Sequence, residues 1–140
     1  MSAENKALMQ RYFEEAWNKG NLSVVDEIVS PDYVNHNPFV PGLPPGPEGL
    51  KPIFSGLRAA FPDLQYTIEE QIADGDKVVT RWVFRGTHQG ELMGIPATGK
   101  QVTITGIQIE RIVGGKIVEH WRQSDDLGMM QQLGVVPSAG

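Results

Sequence analysis

The pattern of apolar and polar residues changes along the chain from a helical period to an alternating one. Between residues 4 and 19, apolar side chains recur every three or four positions, which predicts a helix packed on one face. Asn21 is a good N-cap for a second, short helix that Pro31 closes. Pro47 is a favourable first-turn residue for a third helix. Residues 32–49, which lead into this third helix, are rich in proline and glycine and are predicted to be irregular.

The second half of the chain has the pattern of strands joined by tight turns. The segments QYTIEEQIA and KVVTRWVFR flank DGD, whereas QVTITGIQIERIV and KIVEHWRQ flank GG, and both arrangements are hairpin signals. A long excursion, GTHQGELMGIPATG, separates the hairpins, and DDLGMMQQLG is typical of a terminal helical turn. Helices first and strands afterwards predict the α+β class, with a curved antiparallel sheet and helices on one face.

Both faces of the predicted sheet are largely apolar. In the segment VTITGIQIERIV, the phase that contains Ile104 and Ile112 alternates with the phase that contains Ile107 and Ile109. A solvated face would alternate more cleanly between apolar and polar residues. We therefore expect helices on one face and a second subunit on the other, which makes a homodimer through the β-sheet.

Composition narrows the classes of function. A chain of 140 residues has the size of one domain, so we expect a single domain over residues 1–140. The net charge of −5, with acids and bases interspersed, offers no basic patch for nucleic acid. The absence of cysteine excludes disulfides and thiolate chemistry. The N-terminal segment is charged and amphipathic, so we expect neither a signal peptide nor a membrane anchor, and a cytoplasmic location.

Five motifs occur in this order over essentially the whole chain: DYVNHNP, AFPDL, GTHQGELMGIPATGK, ERIVGGKIVEHW and QQLG. Together they resemble the SnoaL-like family of polyketide cyclases and their ester cyclase relatives. The resemblance implies the NTF2-like cone, in which a bent antiparallel sheet and three N-terminal helices enclose a hydrophobic cavity. It also implies ring closure of an aromatic polyketide ester by intramolecular aldol condensation, without a metal or an organic cofactor. The expected ligand is a small hydrophobic molecule that bears carbonyl groups.

An aldol cyclisation needs an acid/base group and hydrogen-bond donors for the enolate. The resemblance places the family's catalytic aspartate at Arg122 rather than Asp125, its pocket histidine at Gln108, and its pocket asparagine at Asn35. Arginine stays protonated near neutral pH and cannot abstract a proton, but it can stabilise an enolate or hold a carboxylate. The acid/base group must therefore be sought among the neighbouring residues.

Strand alternation predicts where that group lies. If Arg122 points into the cavity, His120 and Val118 point the same way, and Gln108 and Glu110 face them from the neighbouring strand. We predict that Glu110 is the counter-charge of Arg122 and that His120 is the acid/base group. These three residues form the predicted catalytic set. We expect a second set to orient the substrate or form the pocket wall, with His36 at the mouth: Asn35, His36, Gln108, Trp17 and Phe13.

Simpler interpretations of the same residues remain open. In one of them, Glu110 and Arg122 form an ordinary cross-strand ion pair on a solvated face, which stabilises the fold by less than about 1 kcal/mol. Asp125 or Ser124 is then only the N-cap of the terminal helix, and His88 only fixes a loop. The three histidines are far apart in sequence, so we expect no metal site. For the whole protein, the alternatives are a polyketide hydroxylase-like family member and a module that binds an apolar ligand without turnover.

Overall fold

The structure is a computed structural model that describes residues 2–38 and 42–136. A first helix runs on into a π-helical segment, and two more helices, five strands and a terminal helix follow. In chain order the elements are α1 (Ser2–Arg11), the π-helical segment (Tyr12–Asn18), α2 (Leu22–Ile28), β1 (Val29–Asn35), α3 (Pro47–Ala60), β2 (Gln65–Asp74), β3 (Lys77–Thr87), β4 (Gln101–Val113), β5 (Lys116–Ser124) and α4 (Asp126–Leu133). The predicted α+β class is confirmed.

The five strands form one sheet with the order β1-β5-β4-β3-β2. Strands β2 to β5 are antiparallel, and both hairpins turn where the sequence predicts. At the second turn Gly114 and Gly115 have φ values of 58° and 76°, the left-handed backbone that a two-residue hairpin of this kind requires. The two outer strands, β1 and β2, do not pair with each other, so the sheet stays unclosed.

Strand β1 corrects the prediction that the chain becomes irregular after the second helix. Helix α2 ends at Ile28, and Val29–Asn35 pairs parallel with β5. Pro31 is tolerated within this strand because β1 is at the edge of the sheet, where a missing N–H need not break a ladder. This pairing places Asn35 beside His120, so part of the proline-rich stretch of residues 32–49 lies next to the predicted site.

Helices cover the inner face of the sheet. Helix α1 packs against β2 and β3, and α2 packs against β1 and β5. Beyond the end of β5, α4 lies along β4, where the Gln132 side chain bonds the backbone N–H and C=O of Thr103 at 2.7 and 2.9 Å. Among the described residues, none of the helices combines the length and the apolar character needed to cross a membrane.

The outer face of the sheet carries an apolar row that runs across four strands. Ile72 pairs with Val79, Val79 with Ile109, and Ile109 with Trp121. Ile72 is 57% exposed, and Ile107 in the adjacent row is 45% exposed. Apolar side chains therefore do occupy the outer phase of β4, as the sequence predicts.

Candidate active site

A cavity of about 200 Å³ lies between the helices and the inner face of the sheet. Most of its wall is aromatic or aliphatic, with Trp17 stacked on Phe54 at a ring-centroid distance of 3.7 Å. Polar side chains enter the wall at a few positions, as in pockets that bind small organic molecules. These polar residues are Asn35, Glu91, Gln108, His120, Arg122 and Asp126.

Strand β5 presents alternate residues to the cavity, as predicted. His120 and Arg122 line the cavity, whereas Trp121 lies on the outer face, stacked against the His36 ring at 4.6 Å. The prediction for Val118 is wrong, because a bulge shifts the phase of the strand between its two ends. Ile117 pairs with Ile112 and is 1% exposed, so it takes the inward position nearest the turn.

A chain of buried hydrogen bonds leads from the wall of the cavity to His120. The Trp82 indole N–H donates to Gln108 Oε1 at 3.0 Å, and Gln108 Nε2 donates to Glu110 Oε2 at 2.7 Å. Glu110 Oε2 also contacts His120 Nδ1. Glu110 is 1% exposed, and the His120 side chain is 12% exposed. The Glu110 carboxylate is thus held on one oxygen by an amide and an imidazole.

This arrangement determines what His120 can do. A carboxylate oxygen is an acceptor, so we assign the proton to His120 Nδ1, which leaves Nε2 as the unprotonated nitrogen. His120 lines the cavity, and a base there can take a proton from a ligand. The second oxygen, Glu110 Oε1, is buried and has no hydrogen-bond partner within the described residues. A buried acceptor of this kind is unfavourable in a purely structural role.

The position of Trp82 depends on a glycine on the adjacent strand. Trp82 pairs with Gly106, and a Cβ atom at Gly106 would lie 2.2 Å from Cζ2 of the indole and 2.4 Å from Cη2. The ring can therefore lie flat against the β4 backbone only because residue 106 has no side chain. Trp82 is 1% exposed, so the ring has no free space to move into.

The predicted ion pair between Glu110 and Arg122 is replaced by two separate pairs. The register of the hairpin sets Glu110 opposite His120 and sets Gln108 opposite Arg122. Arg122 Nη1 instead donates to Ser124 Oγ at 2.6 Å, and Nη2 lies 3.8 Å from Asp126 Oδ2. The counter-charge of Arg122 thus comes from the start of α4, and Glu110 remains with His120.

Three tyrosines, Tyr12, Tyr33 and Tyr66, also line the cavity. Burial raises the pKa of all three phenols, and the negative charge of Glu110 adds to the rise at Tyr12 and Tyr33. Arg122 opposes the rise in the pKa of Tyr66 without cancelling it. The phenols consequently stay protonated at neutral pH and can donate hydrogen bonds to a ligand oxygen.

Two of the predicted substrate contacts do not lie in the cavity wall. His36 is on the outer face, where its Nε2 lies 2.8 Å from Glu119 Oε2, because Asn35 takes the inward position on the edge strand. Phe13 is a core residue, 2% exposed, and its ring packs edge-on against Tyr66. The neighbouring Tyr12 occupies the place in the wall that was expected for Phe13. Asn35, Gln108 and Trp17 do line the cavity.

Structural roles account for several other residues. Asp125 caps α4 by accepting from the Gly128 N–H at 2.9 Å, as one of the simpler interpretations predicts. His88 is fully buried, and its Nδ1 lies 3.0 Å from Thr98 Oγ1, so it fixes the loop between β3 and β4. Within residues 2–38 and 42–136, no three His, Asp or Glu side chains gather in a way that could hold a metal ion.

Sequence reasoning missed Tyr33, Tyr66 and Trp82. Tyr33 lies on the strand that was predicted to be irregular, so no inward phase was assigned to it. Tyr66 and Trp82 were available from the alternation of β2 and β3, since Tyr66 shares its phase with Ile68 and Trp82 shares its phase with Phe84. Alternation along a strand indicates that a side chain points inward, but it does not show whether that side chain lines a cavity or packs in a solid core.

Comparison with known proteins agrees with this architecture. The family model for SnoaL-like polyketide cyclases matches residues 7–133. Aklanonic acid methyl ester cyclase DnrD of Streptomyces peucetius is 35% identical over 130 residues, which cover 89% of this chain and 87% of that protein. The structure of TsrD from Streptomyces laurentii superposes with a TM-score of 0.88 at 31% identity, covering 97% of this chain and 98% of the other. AclR, a candidate hydroxylase from Streptomyces galilaeus, superposes with a TM-score of 0.85 at 32% identity, covering 100% and 87%.

The curved, unclosed sheet, the helices over its inner face and the apolar cavity between them define an α+β protein of the NTF2-like type, as predicted. The chain belongs to the SnoaL-like polyketide cyclase family. The prediction of a cyclase-type enzyme is confirmed at the level of the family.

Proposed function

We propose that this protein closes a ring of a polyketide-type ester by an aldol-type cyclisation, the intramolecular addition of an enolate to a carbonyl, with His120 as the acid/base group and Glu110 as the residue that orients it. The single observation that carries the proposal is the contact between His120 Nδ1 and the buried Glu110 carboxylate at the cavity wall. It supplies the acid/base group that Arg122 cannot supply.

The reaction needs one proton to move twice. His120 Nε2 takes a proton from the carbon next to a carbonyl, and the resulting enolate carbon attacks a second carbonyl of the same molecule. A carbon–carbon bond forms, the attacked oxygen becomes an alkoxide, and His120 returns the proton to it. No group leaves and nothing is oxidised, so product and substrate have the same mass.

The charge of the enolate must be stabilised in a largely apolar cavity. The protonated phenols of Tyr12, Tyr33 and Tyr66, the amide of Asn35 and the guanidinium of Arg122 are the donors in the wall. Donors that are already in place lower the barrier, since they do not have to reorganise during the reaction. The imidazolium that forms at His120 is stabilised by the neighbouring Glu110 carboxylate.

The chain offers a matched control for this proposal. His120 with Glu110 lies on the inner face, and His36 with Glu119 lies on the outer face of the same sheet. We expect His120→Gln to lower turnover of aklanonic acid methyl ester by about 10²–10⁴-fold, with ligand affinity changed only a few-fold. His36→Gln should leave both unchanged.

Retention of wild-type turnover by His120→Gln would remove His120 from the mechanism. Binding of the ester without turnover by the wild-type protein at any pH would favour the alternative of a non-catalytic module that holds an apolar ligand.

A second candidate function is hydroxylation, which the similarity to AclR favours. Mass spectrometry of the product separates the two reactions. Aldol cyclisation gives a product of unchanged mass, whereas hydroxylation adds one oxygen atom and requires dioxygen and a reductant. A product heavier by one oxygen, formed only with a reductase partner, would replace cyclisation as the proposed function.

We further propose that a second copy of the chain covers the outer face of the sheet. The apolar row from Ile72 to Trp121 supports this, because an exposed apolar surface of this kind is typical of an interface. Sedimentation should give about twice the chain mass of 15.4 kDa. Ile107→Lys should yield monomer, whereas Val135→Lys, at a site with a similar exposure of 44%, should not. Wild-type protein that sediments as monomer at high concentration would refute the dimer.

The proposal includes a cytoplasmic location and a single domain over residues 1–140, both of which rest on composition.

A further inference from the structure

A tight turn in the loop between β3 and β4 borders the cavity. Leu92 and Ile95 pair across this turn: the Leu92 N–H donates to the Ile95 carbonyl at 3.0 Å, and the Ile95 N–H donates to the Leu92 carbonyl at 2.8 Å. Leu92 is 5% exposed and lines the cavity, so it fixes the turn to the rest of the protein. The two central residues, Met93 and Gly94, have φ values of 46° and 82°.

Methionine is an unfavourable residue for the backbone at position 93. A residue with a Cβ atom adopts the left-handed region only at a conformational cost, whereas glycine and asparagine adopt it more readily. Every other positive φ in residues 2–38 and 42–136 belongs to a glycine. The two-residue turn between β4 and β5, which also has positive φ at both central positions, uses Gly114 and Gly115. A side chain that is kept at such a cost indicates a function for that side chain.

Packing in the core does not account for Met93. It is 54% exposed and does not belong to the hydrophobic cluster of the core. A polar surface groove, lined in part by Asn37, Gln123 and Ser124, adjoins the cavity. The mouth of the cavity is formed by the residues that line both spaces: Met93, Arg122, Asp126 and Met129. Met129 is only 4% exposed, so Met93 supplies the free apolar surface at the mouth.

The size of the cavity indicates which ligands reach this mouth. A cavity of about 150 Å³ is large enough to hold a benzene molecule. The cavity of about 200 Å³ in this protein therefore holds one aromatic ring with a small substituent. A ligand with fused rings must extend through the mouth, where the Met93 side chain can lie against the next ring. The flexible and polarisable thioether of methionine suits such a contact with an aromatic ring.

We propose that Met93 is a specificity-determining residue: it covers the part of a fused-ring ester that projects from the cavity, and it thereby favours larger aromatic esters over single-ring ones. This inference rests on the proposed function only in taking the cavity as the substrate site. It adds to that function a residue that selects the ligand by its size.

The test compares methyl 2-naphthoate with methyl benzoate, which carry the same ester group and differ by one ring. Binding is measured by NMR titration, and each variant is scored by the ratio of its affinities for the two-ring and the one-ring ester. A difference in the fraction of folded protein cancels in this ratio. Met93→Ala removes most of the side chain and should lower the ratio about threefold to tenfold.

Two control variants should leave the ratio within about twofold of the wild type. Met93→Leu keeps an apolar side chain of similar volume at the mouth. Leu127→Asn changes an apolar residue that is 62% exposed and lines neither the cavity nor the groove.

Met93→Asn separates the effect of the side chain from that of the backbone. Asparagine adopts the left-handed backbone more readily, so Tm should rise by about 2–4 °C while the ratio falls as in Met93→Ala. Met93→Ala retains the backbone cost and should not raise Tm. A gain in stability together with a loss of selectivity is expected when a side chain serves the ligand and not the fold.

A ratio that stays at the wild-type value in both Met93→Ala and Met93→Asn would overturn the proposal, and so would a wild-type protein that binds neither ester. A Met93→Asn protein no more stable than the wild type would also overturn it, because the methionine side chain would then stabilise the fold as much as its backbone destabilises it. No turnover is measured, so an unchanged ratio with a His120-dependent cyclisation intact would refute the role of Met93 alone. A cyclisation that does not depend on His120, with the ratio lowered as expected, would refute only the proposed mechanism.

Discussion

Gly106→Ala tests the packing that positions the hydrogen-bonded chain of the site. The new Cβ would lie 2.2 Å from Cζ2 and 2.4 Å from Cη2 of Trp82, more than about 1 Å inside ordinary contact distance. The indole is rigid and 1% exposed, so either the ring or the β4 backbone must shift. Gly106 does not have positive φ, and alanine itself would favour the strand by about 0.5–1 kcal/mol.

The net magnitude follows from these opposing effects. Overpacking of a buried site costs about 1–3 kcal/mol and more where the neighbour is rigid, and complete loss of a buried Trp contact costs about 3–5 kcal/mol. We expect a loss of about 2–4 kcal/mol in the free energy of unfolding. For a domain of this size that corresponds to a fall in Tm of about 6–12 °C.

Urea unfolding followed by tryptophan fluorescence measures the effect. The matched control is Gly56→Ala in α3, where a new Cβ meets nothing within 4 Å and alanine should stabilise the helix by up to about 1 kcal/mol. A Gly106→Ala protein as stable as the wild type, with unchanged tryptophan emission, would refute the close approach of Trp82 to β4.

Three further predictions concern ionisable groups. Burial raises the pKa values of the three tyrosines, so the folded protein should show no tyrosinate absorbance near the usual pKa of about 10. The stability that the protonated phenols contribute is complete below that pH and is lost as the pH rises through the folded pKa values. Tyrosinate should then appear as the protein unfolds. Glu110→Gln keeps the shape but removes the charge beside His120, so turnover should fall about 10²–10⁴-fold in a direct assay. The Thr87 N–H and hydroxyl donate to the Asp63 carboxylate and lower its pKa. The ionised carboxylate therefore stabilises the fold above about pH 4, and this stabilisation is lost in acid. The difference in urea midpoint between wild type and Asp63→Asn should accordingly shrink as the pH falls.

Much of the fold could be predicted from periodicity. The hairpins and the inward direction of His120 and Arg122 follow from alternation, because side chains on a regular strand point to opposite faces in turn. The prediction failed at Val118, where an extra residue breaks the alternation. It also failed at β1, because proline content argues against a strand in general but not against one at the edge of a sheet.

The partners within the site were harder to predict than its members. Glu110 and Gln108 share the inner face of β4, where Gln108 lines the cavity and its amide donates to Glu110. Which of them meets Arg122 depends on the register of the hairpin, and a shift of two residues would set Glu110 opposite Arg122 while each side chain stays on the same face. The sequence therefore predicts which residues of β4 and β5 form the site, but it does not determine which of them form ion pairs with each other.

The assignment of His120 as the acid/base group depends on which ring nitrogen carries the proton. Long-range proton–nitrogen NMR correlation on the neutral imidazole reads this directly, with His36→Gln used to separate the signals of the two solvent-accessible histidines. We predict a protonated Nδ1, which donates to Glu110, and an unprotonated Nε2. A protonated Nε2 with a bare Nδ1 would contradict it, because the basic lone pair would then point at Glu110 instead of the ligand.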